Sequence, residues 1–438
     1  MNVPDLPAAI SWPLLKRILF RFFFIYLMLQ TAPWTWLDGV PGVEHFTHFY
    51  SSFIDWGVNT GNKYIFHERD QLVPLNGSGD TSYGWAQVWL YLSVACIGCV
   101  IWSVLDRKRD NYARMDYLLR TVVRYYLAMV SLSYGIIKLF ALQMPFPNLS
   151  QLATALGDFL PMRLSWMFFG YSTPYEIFGG AMETVSGLLL LNRKTATLGV
   201  CVAAGVFINV MAINLCYDVP VKIFSMHLVF YCFFLLAYES KRLLAFFALN
   251  ENAPPTTSFA LTLTKHWTRI SRVLLKTVFV VVAIIMPFQE AWDAYRSEMN
   301  KSSLKPFRAG IYEVKVFALN GKTVPPLNTD TVRWKDVIFE RTGLGSVGSS
   351  DTLFRQRYGR GYFYYSPDTS HRTISIVKVS ASFDSTHLFV MRYEQPDSNT
   401  IKLWTSIRSD SLYVELVRSR RQFQLAERQF HWLSEYNR

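Results

Sequence analysis

The chain reads Tyr171-Ser-Thr-Pro-Tyr-Glu-Ile-Phe-Gly-Gly-Ala-Met-Glu183, then a long apolar run, then Asn214-Leu-Cys-Tyr-Asp-Val-Pro-Val-Lys-Ile-Phe-Ser-Met-His-Leu228. The apolar segments here approach the roughly 20 residues needed to cross a bilayer as a helix. They nevertheless carry Glu176, Glu183, Asn209, Asn214, Asp218, Lys222 and His227. An ionisable group in hydrocarbon costs several kcal/mol, so it faces a protein interior or a wet cavity. The stretch therefore sets the expected fold class, a polytopic α-helical membrane bundle, and marks where an intramembrane site belongs.

Outward from it, the 438 residues divide in two. Half of the chain is apolar and only 17% is charged, with the apolar residues concentrated before about residue 288. Seven apolar runs, about 14–32, 84–104, 121–142, 172–192, 196–215, 222–238 and 269–288, predict about seven transmembrane helices. The net charge of +12 is explained by Lys and Arg in cytoplasmic loops, which set orientation, so no nucleic-acid partner is inferred.

The basic residues order the topology. Lys16, Arg17 and Arg21 flank the first run, Arg107, Lys108 and Arg109 follow the second, Arg193-Lys194 the fourth, and Lys241 and Arg242 the sixth. They predict a cytoplasmic N-terminus and a C-terminal domain outside the cytoplasm, in a cell inner (plasma) membrane. The first run lacks a small-residue cleavage site and is expected to be retained. Residues 34–80, with Trp34, Trp36, Trp56 and the Gly77-Ser-Gly-Asp80 turn, read as a long extracytoplasmic loop, partly helical along the interface. Residues 143–170, broken by Pro145, Pro147 and Pro161, read as an interfacial or re-entrant segment. Expected boundaries are 1–119 for the N-terminal helices and loop, 120–240 for a helical core, 241–304 for a cytoplasmic linker and last span, and 305–438 for the outer domain.

Beyond residue 309 the period changes to two. Segments 311–318, 333–340, 361–366, 373–380, 387–394, 400–406 and 411–417 read as short strands separated by turns such as Asn320-Gly321 and Pro396-Asp397. They predict a small antiparallel β barrel or sandwich. Residues 422–436, with Phe430, Trp432 and Leu433, read as a closing helix or strand.

Glu176 and Glu183 are seven apart and share one helix face. Glu183, near the midplane, and Lys138, in the preceding apolar run, are read as a proton-handling carboxylate and its compensating charge, with helix-to-helix polar contact as the plainer alternative. His227 is the third catalytic candidate, because it titrates near neutral pH. Tyr134, Asn209 and Asn214 are ligand-binding candidates. Asp218 and Lys222, four apart around Pro220, read as a structural ion pair at a helix start.

Cys96-Ile-Gly-Cys99 sits within an apolar run with no basic neighbour, which favours buried packing over redox work. His45 and His48 are spaced like half a metal site without a second half, so no metal is assigned. Asn76, Asn148 and Asn300 begin Asn-X-Ser sequons. The Arg-Tyr-Gly-Arg-Gly-Tyr-Phe-Tyr-Tyr run at 357–365 looks like an RNA-stacking strand, but an extracytoplasmic domain has no ordinary RNA partner.

Tyr134-Gly-Ile-Ile-Lys138, then Glu176-Ile-Phe-Gly-Gly-Ala-Met-Glu183 and Gly187-Leu-Leu-Leu-Leu-Asn-Arg193, resemble the DoxX/DoxD-like membrane proteins over about 120–240. The long first loop and C-terminal β domain look like a larger bacterial subtype. The resemblance implies a helical-bundle core and a link to quinone-coupled respiratory membranes, with a quinone as the expected cofactor class. A fainter similarity is to vitamin K-dependent carboxylase-like proteins, which also join a helical bundle to an extracytoplasmic β domain and would make the chain a membrane enzyme. Two readings stay open: a membrane protein that binds a quinone or other lipid-soluble molecule, and a non-enzymatic scaffold. The expected partners are the lipid bilayer and, through residues 305–438, a membrane protein.

Overall fold

The computed structural model describes residues 11–36, 42, 44–255, 266–300, 305–327, 330–350, 359–378, 386–407, 409–427 and 431–433. The Thr-rich linker at 256–265, the start of the 357–365 run and Phe430 lie outside the described residues. The chain forms two compact units, one of residues 1–144 and 172–294, the other of residues 145–171 and 295–438.

The first unit is helical. Its elements are α1 (Leu14–Thr31), α2 (Glu44–Gly61), α3 (Ser82–Leu105) and α4 (Ala113–Leu139). Two short helices of the second unit follow, α5 (Leu149–Leu152) and α6 (Pro161–Tyr171), before the chain returns with α7 (Thr173–Leu190), α8 (Ala196–Cys216), α9 (Lys222–Ala237) and α10 (Ser240–Phe247). α11 (His266–Val280) runs through a π-helical turn (Val281–Ile285) into α12 (Met286–Met299). Every expected apolar run is helical. Among the described residues four helices, α3, α4, α8 and the continuous 34-residue α11–α12, are long and apolar enough to cross a membrane, and the α9–α10 pair, bent by 81°, makes up to five. α1 carries Lys16, Arg17 and Arg21, and α7 is interrupted by Glu176, Glu183, Gly and Ser, so neither has the composition of a span by itself.

Local sequence sets the helix ends. The Thr81 hydroxyl accepts the Gly84 amide at 3.2 Å and opens α3. Pro174 sits in the first turn of α7, where its missing N–H costs nothing. The bundle core is built from Leu27, Val58, Leu119, Val123 and Leu127, interleaved with Ala86, Ala95, Ala128 and Ala203, all fully buried. Small residues let helix axes approach where lipid offers no hydrophobic drive between helices.

The second unit is an antiparallel barrel. Its strands are β1 (Gly310–Leu319), β2 (Lys322–Thr323), β3 (Asp336–Phe339), β4 (Leu344–Gly348), β5 (Arg360–Asp368), β6 (Thr373–Lys378), β7 (Thr386–Glu394), β8 (Thr400–Ile407) and β9 (Asp410–Arg418), followed by a turn of helix, α13 (Gln424–Glu427). The order is β1-β3-β4-β5-β6-β7-β8-β9, and β1 pairs with β9, so eight strands close a ring while β2 pairs only with β1. Closure removes free edges. Register shifts at Val314/Val316 and at Ile376/Val377 bend β1 and β6 around it. Side chains fill the interior, among them Phe307, Tyr312, Phe317, Phe339, Phe363, Tyr365, Met391 and Leu416.

Residues 145–171, expected along the membrane interface, find their partners in the barrel. The Ser150 amide and hydroxyl both donate to Glu340 Oε1, at 2.8 and 2.9 Å. The Ser346 hydroxyl on β4 lies 2.8 Å from the Ser150 hydroxyl, and Arg360 Nε donates to Ser346 at 2.8 Å while its guanidinium pairs with Asp336. These groups are nearly all buried, so the mutual satisfaction of Glu340, Ser150, Ser346 and Arg360 is what makes their burial tolerable. The prolines at 145, 147 and 161 interrupt a barrel-packing segment rather than a span.

Candidate functional site

α4 and α7 pack antiparallel with their backbones in close approach. A Cβ on Gly135 would fall 2.4 Å from the Thr184 hydroxyl and 2.9 Å from the Gly180 carbonyl. One on Gly180 would meet Lys138 Cβ at 2.7 Å and the Gly135 carbonyl at 2.8 Å, and one on Gly187 would meet Leu132 at 2.7 Å. Three glycines thus let the two backbones touch, as small residues do in membrane helix pairs.

This seam carries the charges. Lys138 Nζ donates to Glu183 Oε1, and the two side chains are 12% and 3% exposed. Glu183 Oε2 is buried and has no hydrogen-bond partner among the described residues; the same holds for the hydroxyls of Thr184, the next residue on α7, and Ser131, two turns before Lys138 on α4. Tyr134 stands at the same level, its ring 6.0 Å from Lys138 Nζ and 6.0 Å from the Phe224 ring of α9. Two turns before Glu183 on α7, Glu176 Oε1 accepts the amides of Met144 at 2.9 Å and Gln143 at 3.2 Å, closing the chain where it leaves α4. Glu176 is a backbone anchor; Glu183 keeps one oxygen uncommitted.

The structure parts the other candidates from this pair. His227 Nδ1 lies 2.7 Å from the Ile223 carbonyl, which can only accept, so Nδ1 carries the proton. Its Nε2 therefore faces the Tyr26 hydroxyl of α1, at 2.7 Å, as an acceptor. Both ring nitrogens are thus spent on helix packing. Asn209 is exposed on the outer surface of α8. A polar residue in a helix apolar on every side does not reveal from sequence which way it points. Asn214 is buried at the α8–α9 corner, where its carbonyl accepts the Val219 amide at 3.0 Å.

The Asp218–Lys222 ion pair forms, at 2.7 Å, with Asp218 in the left-handed region (φ 51°). The stronger partner of that corner is Asp80. Its two carboxylate oxygens accept the first amides of α9, Lys222 at 2.7 Å and Ile223 at 2.9 Å, and Gly79 and Ser78 donate to the Pro220 carbonyl at 2.9 and 3.1 Å. Sequence reading missed Asp80 because 142 residues separate it from Lys222; the Gly-Ser-Gly-Asp turn was visible but its destination was not. Ser131 and Thr184 were missed too, although both fall at helical spacing from Gly135 and Gly180. Cys99 is buried and 3.4 Å from the Ile18 carbonyl, whereas Cys96 is exposed, so the two thiols do not share an environment.

Helices of membrane-spanning length around a glycine-lined, charged seam, joined in one chain to a closed eight-stranded barrel, define the class of protein. Over 84 residues, 19% of this chain, the sequence is 36% identical to the Bacillus subtilis (strain 168) protein described as uncharacterized protein YwoB. The match spans about half, 54%, of that protein's length. No family model matches the chain. No solved structure matches it either.

Proposed function

We propose that this is a multi-pass protein of the inner membrane, N-terminus cytoplasmic and barrel outside, whose α4–α7 seam binds the polar head of a lipid-soluble molecule. The carrying observation is Glu183. Its Oε1 is neutralised by Lys138, while its Oε2, buried and without a partner among the described residues, is a hydrogen-bond acceptor held at a cost of about 1–3 kcal/mol. A ligand hydroxyl would relieve that cost, and the Ser131 and Thr184 hydroxyls supply donors for a carbonyl. A quinone–quinol couple presents both groups, and the DoxX-like resemblance of 120–240 points to the same class. Lys138 holds the compensating charge and Tyr134 supplies a ring beside it. Within this reading His227, Asn209 and Asn214 are not ligand groups.

The test is the lipid-extractable content of the purified full chain, with wild type compared with Glu183→Gln and Lys138→Met. Loss of a bound quinone in both variants supports the site. Equal quinone content and unchanged electron transfer in membranes end the quinone reading.

A scaffold is the second reading, favoured by α11–α12, of whose best spanning window only 6% is buried within the chain. On that reading the seam only joins helices, and the barrel or α11–α12 holds a membrane-protein partner. Affinity capture with the full chain distinguishes the two, since the barrel unit includes residues 145–171 and an excised 305–438 fragment lacks Ser150.

A further inference from the structure

A second group of charges, unconnected with the seam, lies where α4, the α7–α8 turn and α11 meet. Lys276 Nζ donates to the Leu191 carbonyl at 3.4 Å, and the Phe279 ring packs 4.8 Å from Tyr125, which together fix α11 against the turn and against α4. Arg272, one turn before Lys276, is thereby brought toward the turn. From the turn itself Arg193 lies over the Tyr117 ring of α4, 5.0 Å from its centre. Arg124, two turns along α4, has a buried Nε with no hydrogen-bond partner among the described residues and its guanidinium over the Tyr125 ring at 5.0 Å.

Arg193, Arg272 and Lys276 thus meet where α11 lies against the α7–α8 turn, and Arg124 stands on α4 beside the Tyr125–Phe279 contact. Among the described residues no carboxylate pairs with Arg124, Arg193, Arg272 or Lys276; the nearby acids are taken, Asp116 by Arg120 and the Tyr238 hydroxyl, Glu239 by Arg242. Partial burial, and then the Arg272 guanidinium close by, pull Arg193 below the ordinary arginine range. Orientation alone asks only that basic residues lie on the cytoplasmic side. It does not ask that Arg193 and Arg272 be drawn together from different elements without a counter-charge among the described residues, which costs repulsion.

We propose that Arg193, Arg272 and Lys276, with Arg124 behind them, form a site for a phosphate-bearing anion, supplied by the headgroup of an anionic phospholipid such as phosphatidylglycerol. Guanidinium forks match phosphate oxygens in pairs, and basic pockets between membrane helices on the cytoplasmic side hold such headgroups. The apolar side chains beside the cluster, Ile270, Val273 and Leu274, each more than half exposed, provide a surface along which acyl chains can lie.

The experiment uses the full chain in detergent, read by native mass spectrometry and by thermal unfolding, with added phosphatidylglycerol, phosphatidylcholine or inorganic phosphate. Wild type should retain phosphatidylglycerol over phosphatidylcholine, and Arg193→Gln/Arg272→Gln should weaken that retention roughly twenty-five-fold, since each arginine near a charged headgroup contributes about fivefold. Arg193→Lys/Arg272→Lys, which keeps the charge and removes the forks, should fall between the two and covers the case in which the glutamine variant does not fold. Stabilisation by inorganic phosphate, lost in the variants, with no preference for phosphatidylglycerol, would support the phosphate site and assign it to a soluble ligand. Equal retention of both lipids together with no effect of phosphate, or a lipid preference unchanged in the glutamine variant, overturns the proposal.

Discussion

Lys138 reaches Glu183 one helical turn from the point where Gly135 backs onto Gly180, so the buried charge pair closes where the two helix backbones are nearest. Breaking such a pair from one side leaves a charge without its partner, which is worse than removing both. Lys138→Met is therefore expected to destabilise the bundle by about 3–5 kcal/mol. Lys138→Met/Glu183→Gln should recover most of that loss. Thermal unfolding of the four members of this double-mutant cycle in one detergent checks it. Additive losses would show that the pair is not coupled.

The glycines give a sharper contrast. Gly135→Ala places a methyl against the Thr184 amide at 2.7 Å and the Gly180 carbonyl at 2.9 Å, backbone atoms that cannot rotate away. Separating the helices should cost about 1–3 kcal/mol, as overpacking does. Gly179→Ala, with nothing within 4 Å of its added carbon, should be neutral or slightly stabilising. If both alanines behave alike in unfolding temperature, close approach is not what holds α4 to α7.

At the α8–α9 corner the two aspartates should differ. Asp80→Ala removes an acceptor for two amides at the start of α9 and should cost about 1–2 kcal/mol, the upper range for a lost helix cap. Asp218, with its side chain 80% exposed, should cost less than about 1 kcal/mol on removal. Hydrogen exchange of the Lys222 and Ile223 amides is the direct readout: it should accelerate in Asp80→Ala and stay near wild type in Asp218→Ala.

Tyr365 makes the barrel sensitive to alkali. The side chain is 3% exposed and its hydroxyl donates to the Glu340 carbonyl at 2.9 Å. Burial first, then the Tyr312 and Glu340 charges, push its pKa up from 10.0 to about 12. The folded state therefore holds this proton more tightly than the unfolded chain. Its contribution is intact below pH 10 and is lost as pH rises from about 10 to about 12. Tyr365→Phe should flatten that alkaline part of the unfolding curve, at the cost of the hydrogen bond at neutral pH. An unchanged alkaline slope would remove Tyr365 as its source.

Sequence reading reached what local chemistry can reveal. Lys138 and Glu183 stood out because charges are rare in apolar runs, and the strands because the period fell to two. β4 escaped because Leu344-Gly-Ser-Val-Gly reads as a turn; Gly345 is in fact required by the Phe363 ring, which would lie 2.5 Å from its Cβ. His227 meets Tyr26, 201 residues away, a partner that nothing nearby in sequence predicts. The orientation of Asn209 and the destination of Asp80 are likewise tertiary facts that no period or propensity encodes.

The contact between Ser150 and Glu340 spans 190 residues of chain. A ribosome adding about 5–20 residues per second finishes Ser150 roughly 10 to 40 seconds before Glu340 exists. During that interval α5 and its capping box have been made, but the carboxylate they complete has not. The strands of the ring follow one another in the chain, but Ser150 is made between two bundle helices and meets its carboxylate only when the final third of the chain arrives.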